Sequence, residues 1–167
     1  MSIGYVMAKG KGDVDLLLHA VAEDLRANGA RASGIVQINT ECASGGPCDM
    51  DVRVLPDGPV LRISQSLGAE ARGCRLDPDA LEQAVGLVEA DLRKGAQCLL
   101  INKFGKHEAS GRGFRDAIAE AMAADIPVLV GLNPLNQEAF ETFTEGMARR
   151  LPADRERITD WLNAELA

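Results

Sequence analysis

Apolar positions recur along the chain in two rhythms, and their alternation sets out the fold. Short aliphatic runs suit buried strands, and longer stretches with apolar residues three and four apart suit one helix face. Ile3–Ala8 is the first such run and predicts a strand, followed by a Lys9–Gly12 loop. Asp13 suits an N-cap, and Leu16, Leu17, Ala20, Val21, Ala22 and Leu25 keep helical spacing up to the stop signal Asn28-Gly29. Ala32–Ile38 predicts a second strand, while Thr40–Asp49, with Gly45-Gly46-Pro47, suits no regular element. Met50–Leu55 and Val60–Ser64 alternate around Pro56-Asp57-Gly58-Pro59, which predicts a hairpin. After a glycine-containing loop over Ser66–Pro78, Asp77-Pro78 opens a helix over Ala80–Arg93, with Leu81, Ala84, Val85, Leu87, Val88 and Leu92 apolar. Cys98–Ile101 and Ile126–Leu132 predict buried strands. Between them a helix starting at Ser110 or Gly111 carries Phe114, Ala117, Ile118, Ala121 and Met122. Helices follow over 134–149 and Asp154–Leu166, the last with Trp161 and Leu162 inward.

Strand–helix alternation at both ends predicts a parallel sheet with crossover helices, and the inserted hairpin makes the sheet mixed. The 167 residues suit one α/β domain of three layers over residues 1–167. With 4% aromatic residues, its core has to be built from Ala, Val, Leu and Ile. A net charge of −7 argues against nucleic acid or an anionic membrane as the main partner and leaves room for a small basic pocket. No run approaches the roughly 20 apolar residues of a membrane span. Met1–Met7 enters a strand pattern without a basic leader region, so no signal peptide is expected, and the cytoplasm is the expected location.

Ligands of open α/β sheets bind outside the carboxyl ends of the strands, which makes the polar segments after predicted strands the candidates. The densest is Asn102-Lys103-Phe104-Gly105-Lys106-His107-Glu108, followed by Ser110-Gly111-Arg112-Gly113, where the apolar run stops at Asn102. Lys103 and Lys106 bring positive charge, and His107 or Glu108 could act as base or metal ligand; the plainer alternative is a solvated loop. Lys9-Gly10-Lys11-Gly12 stands where nucleotide-binding α/β proteins carry a phosphate loop. However, the helix then opens on Asp13-Val14-Asp15, two carboxylates that favour the helix dipole and repel a polyphosphate. Arg72-Gly73-Cys74-Arg75 offers two guanidinium forks and free amides to an oxyanion, or pairs with Glu70 and Asp77. Of the four cysteines, Cys98 reads as a small core residue. Cys42, Cys48 and Cys74 lie in glycine-rich sequence without C-x-x-C spacing, as free thiols or as a thiolate metal or redox site. No metal site is assigned.

Three separated stretches, Ala32-Ser-Gly-Ile-Val-Gln37, Gly73-Cys-Arg-Leu-Asp77 and Asn102–Gly113, together resemble a bacterial family, domain of unknown function 2478, often found near molybdate-transport genes. The likeness covers nearly the whole chain. That family is in turn similar to small P-loop nucleoside-triphosphatases, in which a strand ends in Asp-Glu-Ile-Gly-Lys-Met-Glu. Gly105, Lys106 and Glu108 match that pattern, whereas the metal-binding Asp is Asn102 and its neighbouring Glu is Lys103. At the phosphate loop Gly10 and Gly12 match, whereas Asp13 replaces the lysine and Val14 the first hydroxyl. The resemblance implies a P-loop-like fold that has lost residues placing charge and Mg²⁺ on a transferring phosphate.

Two uses follow. The first is a ligand-binding or regulatory protein for a nucleotide or an oxyanion such as molybdate, in molybdenum metabolism. Its ligand would be held by Lys9, Gly10, Lys11, Gly12, Arg72, Gly73, Cys74, Arg75, Asn102, Lys103, Gly105, Lys106, His107 and Arg112. The second is a nucleoside-triphosphatase with an atypical phosphate loop, using Mg²⁺ with its nucleotide and Glu108 to orient or deprotonate water. A third reading is an assembly partner of another protein. A homodimer is compatible with all three, although nothing in the sequence predicts an interface.

Overall fold

A computed structural model describes residues 2–8, 12–39, 50–65 and 76–166 of the chain. Its strands are β1 (Ile3–Val6), β2 (Ala32–Asn39), β3 (Met50–Leu55), β4 (Val60–Arg62), β5 (Cys98–Phe104), β6 (Val128–Leu132) and β7 (Arg149–Arg150). The helices are α1 (Asp13–Ala27), α2 (Pro78–Leu92), α3 (Lys106–Ala109), α4 (Arg115–Ala123), α5 (Gln137–Phe143) and α6 (Arg155–Leu166), with a 3₁₀ turn at Pro134–Asn136. Among the described residues these strands form one sheet in the order β4-β3-β2-β5-β6-β1-β7. Strands β2, β5, β6, β1 and β7 run parallel. The hairpin β3–β4 extends the β2 edge antiparallel, as its turn sequence predicts.

Alternate side chains of the sheet feed two cores. Val6, Val36, Leu100 and Leu129 pack with α1 and α6 on one face. Ile35, Leu99, Ile101 and Val130 pack with α2, α4 and Phe140 of α5 on the other. The result is the expected mostly parallel sheet between two helical layers. Its core is aliphatic except for Phe114 and a small aromatic group in which Phe140 meets Tyr5 and Phe104 edge-on. Cys98 is fully buried, and loss of hydration pushes its thiol pKa up to about 12, which fits a core residue.

Several local expectations change. Asp13 is the first helical residue, not the cap; Gly12 takes that place in a left-handed conformation. Leu18 faces the core, whereas Leu16 is 74% exposed, and Leu87 is also at the surface. Asp77 does cap α2, accepting from the Asp79 and Ala80 amides at 3.0 and 3.3 Å. The helix expected to start at Ser110 or Gly111 starts at Arg115, and the polar segment before it folds into the single turn α3. The helix expected over 134–149 is the 3₁₀ turn plus α5, and the chain then gives β7, too short for a periodicity to show. No helix among the described residues is long and apolar enough to cross a membrane.

Candidate functional site

Because β1, β2, β5 and β6 are parallel, Gly12 and Asn102 lie at the same carboxyl edge of the sheet. Strand β5 runs past Asn102, where the apolar run stops, to Phe104. Ile101 and Phe104 both belong to the same core face, although strict alternation would put residues three apart on opposite faces. A register shift between Ile101 and Phe104 against β6 resolves this. It buries Asn102 and leaves Lys103 exposed.

Asn102 is 2% exposed. Its Oδ1 accepts the Gln37 amide at 3.0 Å, and its Nδ2 donates to Asp15 Oδ1 at 2.6 Å. One side chain therefore ties β2, β5 and the first turn of α1 together. Gly131 of β6 lets the parts approach: a Cβ there would sit 2.1 Å from the Asn102 carbonyl oxygen and 2.7 Å from Val14 Cγ1. In P-loop enzymes this strand end offers a carboxylate to magnesium, and the helix offers a hydroxyl. Here a neutral amide donates to a carboxylate and a valine stands for the hydroxyl, so these residues do not fit a magnesium ion.

After β5 the chain makes α3. Glu108 is 5% exposed, and its Oε1 accepts the Gly105 amide at 2.9 Å, a capping-box bond that the glycine cannot reciprocate with a side chain. Its Oε2 is buried without a hydrogen-bond partner. Burial pushes the Glu108 carboxyl above the usual carboxylate range. The Gly105, Phe114 and Glu108 amides oppose this shift, and the charge of Glu82 adds to it. The turn closes with the Arg112 amide on the His107 carbonyl at 2.8 Å, and with Ser110 Oγ donating to that carbonyl at 3.0 Å. Lys103, Lys106 and Arg112 are exposed, and among the described residues none has an ion-pair partner. His107 is half-buried.

The structure thus brings Gly12, Asn102, Lys103, Gly105, Lys106, His107, Glu108 and Arg112 to one edge. Asn102 faces α1, while Glu108 packs against the loop leading to α4, on the opposite face. Lys9, Gly10, Lys11, Arg72, Gly73, Cys74 and Arg75 lie outside the described residues, as do Cys42 and Cys48. Among the described residues no three His, Cys, Asp or Glu side chains gather as a metal cage. Gln37, Gly131 and Glu82 were not among the expected site residues. The sequence held a cue for Gln37 alone, as the polar residue that interrupts the Ala32–Ile38 apolar run.

A family profile matches residues 3–161. The chain belongs to the family described as Protein of unknown function (DUF2478). Within the curated proteins, this family member is 37% identical over 159 residues to Molybdenum import ATP-binding protein ModC 2 of Bradyrhizobium diazoefficiens. The match takes in 95% of this chain and 18% of that protein, so the chain spans less than a fifth of that relative's length. In structure it resembles a human cancer-related nucleoside triphosphatase, with a TM-score of 0.59, 19% identity, and coverage of 98% of this chain and 95% of the other. That likeness bears out the P-loop-like α/β fold expected from the sequence.

Proposed function

We propose that this protein binds a small anion at the carboxyl edge of its sheet, as a ligand-binding or regulatory protein and not as a hydrolase. The observation that carries the reading is the set of three exposed cations without an ion-pair partner among the described residues, Lys103, Lys106 and Arg112, within ten residues of a chain with net charge −7. Such a contrast draws anions toward that edge. Lys9, Lys11, Arg72 and Arg75 are the further cations assigned to it, with the amides of Gly10, Gly12, Gly73 and Gly105. Asn102 and His107 shape the wall. The ligand is a nucleotide or an oxyanion such as molybdate. The name of the curated relative, which joins ATP binding to molybdenum import, supports both and supports a place in molybdenum metabolism. The misfit of Asn102, Asp15 and Val14 to magnesium supports binding over hydrolysis. The protein acts in the cytoplasm in this reading.

Thermal unfolding with molybdate, tungstate, sulfate and ATP, each with and without magnesium, tests the reading. A ligand of the native state at a hundredfold excess over Kd stabilises by about 2.7 kcal/mol, a rise of about 5–10 °C for a chain of this size. The double variant Lys106→Glu, Arg112→Glu is expected to abolish that rise while leaving the unliganded Tm within about 2 °C, since both side chains are exposed. No rise with any of the four anions at millimolar concentration overturns the proposal. Magnesium-dependent phosphate release from ATP, lost in Glu108→Gln, replaces it with the hydrolytic alternative.

A further inference from the structure

The strongest unexplained feature of the candidate site is its one buried acid. Among the described residues, Glu108 Oε2 is the only buried side-chain oxygen or nitrogen without a hydrogen-bond partner. The backbone is pressed against it: a Cβ on Gly113 would lie 1.7 Å from Oε2 and 2.8 Å from Cδ, and Gly113 sits at φ +61°. The Gly113 amide does not turn to Glu108. It donates to Glu82 Oε1 of α2 at 3.3 Å, so two carboxyl groups flank a single glycine. A buried oxygen without a donor has to hold a proton, take in water or move.

We propose that Glu108 is a proton-binding positioning residue for the cationic loop 105–113: with its proton it closes the loop as seen here, and on losing the proton it loosens the loop and weakens the anion site. The proposal rests on the anion-binding reading only for its last clause. The neutral acid keeps Oε1 as acceptor for the Gly105 amide and gives Oε2 a hydrogen of its own. The ionised form leaves a buried charge with no hydrogen bond formed at Oε2, which the nearby amides offset only in part, beside the Glu82 carboxyl group. Opening the turn to water relieves that charge, and the turn carries Lys106 and Arg112. An anion held by those cations disfavours the negative Glu108 in the same way as Glu82 does, so anion and proton favour each other's binding, and the coupling is reciprocal.

The charged and titratable groups around Glu108 come from several elements. Glu82 belongs to α2, and Lys103, whose Cε approaches Gly105, lies at the end of β5. Lys106, His107 and Arg112 share its own turn, and Arg115 Nη1 approaches Gly111. Helix α5, packed on α3, brings Glu138 and Glu141, both exposed. Glu82 is the acid nearest by these contacts, and its removal by Glu82→Gln, which keeps an acceptor for the Gly113 amide, lowers the pH at which Glu108 ionises.

The experiment follows the Gly105 and Gly113 amides by NMR from pH 4 to 8, together with sulfate affinity, in the full chain and in Glu108→Gln and Glu82→Gln. Sulfate keeps its own charge over this range. In the wild type both amides are expected to shift with one midpoint above the ordinary carboxyl value of 4.5. Their hydrogen exchange, corrected for pH, should rise by about tenfold or more across it. Glu108→Gln should show no such midpoint, and Glu82→Gln a lower one. Sulfate affinity should fall through the same midpoint in wild type and through the lower one in Glu82→Gln, by up to about tenfold per pH unit, and show no such fall in Glu108→Gln. Amides that titrate at or below 4.5, or titrate unchanged in Glu108→Gln, overturn the proton site. Titrating amides with a sulfate affinity indifferent to that midpoint overturn the coupling. Titrating amides with no sulfate binding at any pH sink the anion reading of this loop and leave the proton-driven closure established.

Discussion

Asn102→Asp is expected to destabilise the protein by about 3–5 kcal/mol at neutral pH, the cost of an uncompensated buried charge. The substitution changes one NH₂ group to one oxygen and is nearly isosteric. The new Oδ1 still accepts the Gln37 amide, but the atom facing Asp15 Oδ1 at 2.6 Å becomes an acceptor opposite an acceptor. Two carboxylates at that distance, one at a position 2% exposed and the other half-buried, will share a proton where they can. The folded-state pKa of the pair is then raised above its unfolded value. By linkage, stability lost at neutral pH returns as pH falls through the raised pKa toward the unfolded one. Urea unfolding of Asn102→Asp at pH 5 and pH 8 should therefore give different losses, the larger at pH 8. Asn102→Ala should lose about 1–3 kcal/mol at both pH values, because it leaves the Gln37 amide and the Asp15 carboxylate short of one partner without adding charge. Equal stability of Asn102→Asp and wild type at pH 8 would show that the Asn102–Asp15 contact does not tie α1 to the sheet.

Gly131→Ala carries a comparable cost for a steric reason. The added carbon would sit 2.1 Å from the Asn102 carbonyl oxygen, part of a neighbouring strand's backbone, and 2.7 Å from Val14 Cγ1. No rotamer change relieves a clash with backbone, so β5 and β6 or the start of α1 must shift. The expected loss is about 3 kcal/mol, at the upper end for overpacking, with a Tm drop of about 6–12 °C. The shift also displaces Asn102, so anion binding should weaken more than stability alone explains. Gly86→Ala is the control. It lies in α2, exposed, with nothing within 4 Å of the new carbon, and should stabilise by about 0.5–1 kcal/mol. A Gly131→Ala protein as stable as wild type would mean that the close approach is not a constraint.

The elements legible in the sequence were those with long, regular patterns. The strands around Val36, Leu100 and Val130 and the helices around Leu25 and Val88 declare themselves by period, and Pro56-Asp57-Gly58-Pro59 marks its hairpin. The pattern misled where tertiary geometry overrides period. The Ile101–Phe104 register shift extends β5 through residues that look like loop, and α3 is one turn held by the Glu108 cap on Gly105 and by the Arg112 and Ser110 bonds to the His107 carbonyl. Leu16 and Leu18 lie on nearly opposite faces of α1, and an all-leucine stretch at 16–18 does not reveal which of the two meets the sheet. At the candidate site, residue type indicated the cations and Asn102. The residues around Asn102 and Glu108 did not show, because Gln37, Gly131 and Glu82 act through distance: one amide, one absent Cβ and one carboxylate placed by other elements.

Asn102 meets a partner 65 residues away in β2 and another 87 residues away in α1. Strand β1 reaches β5 only through β6, which lies between them. Closing spans of that length loses chain entropy, which the β2–β5 pairing and the packing of α1 on both strands offset. A nascent polypeptide that has left the ribosome as far as Phe104 but not yet Leu132 can pair β2 with β5, but it lacks β6, whose Gly131 backs the Asn102 carbonyl and Val14. Ligand affinity in this protein should therefore switch on abruptly only once the Val128–Leu132 segment has emerged.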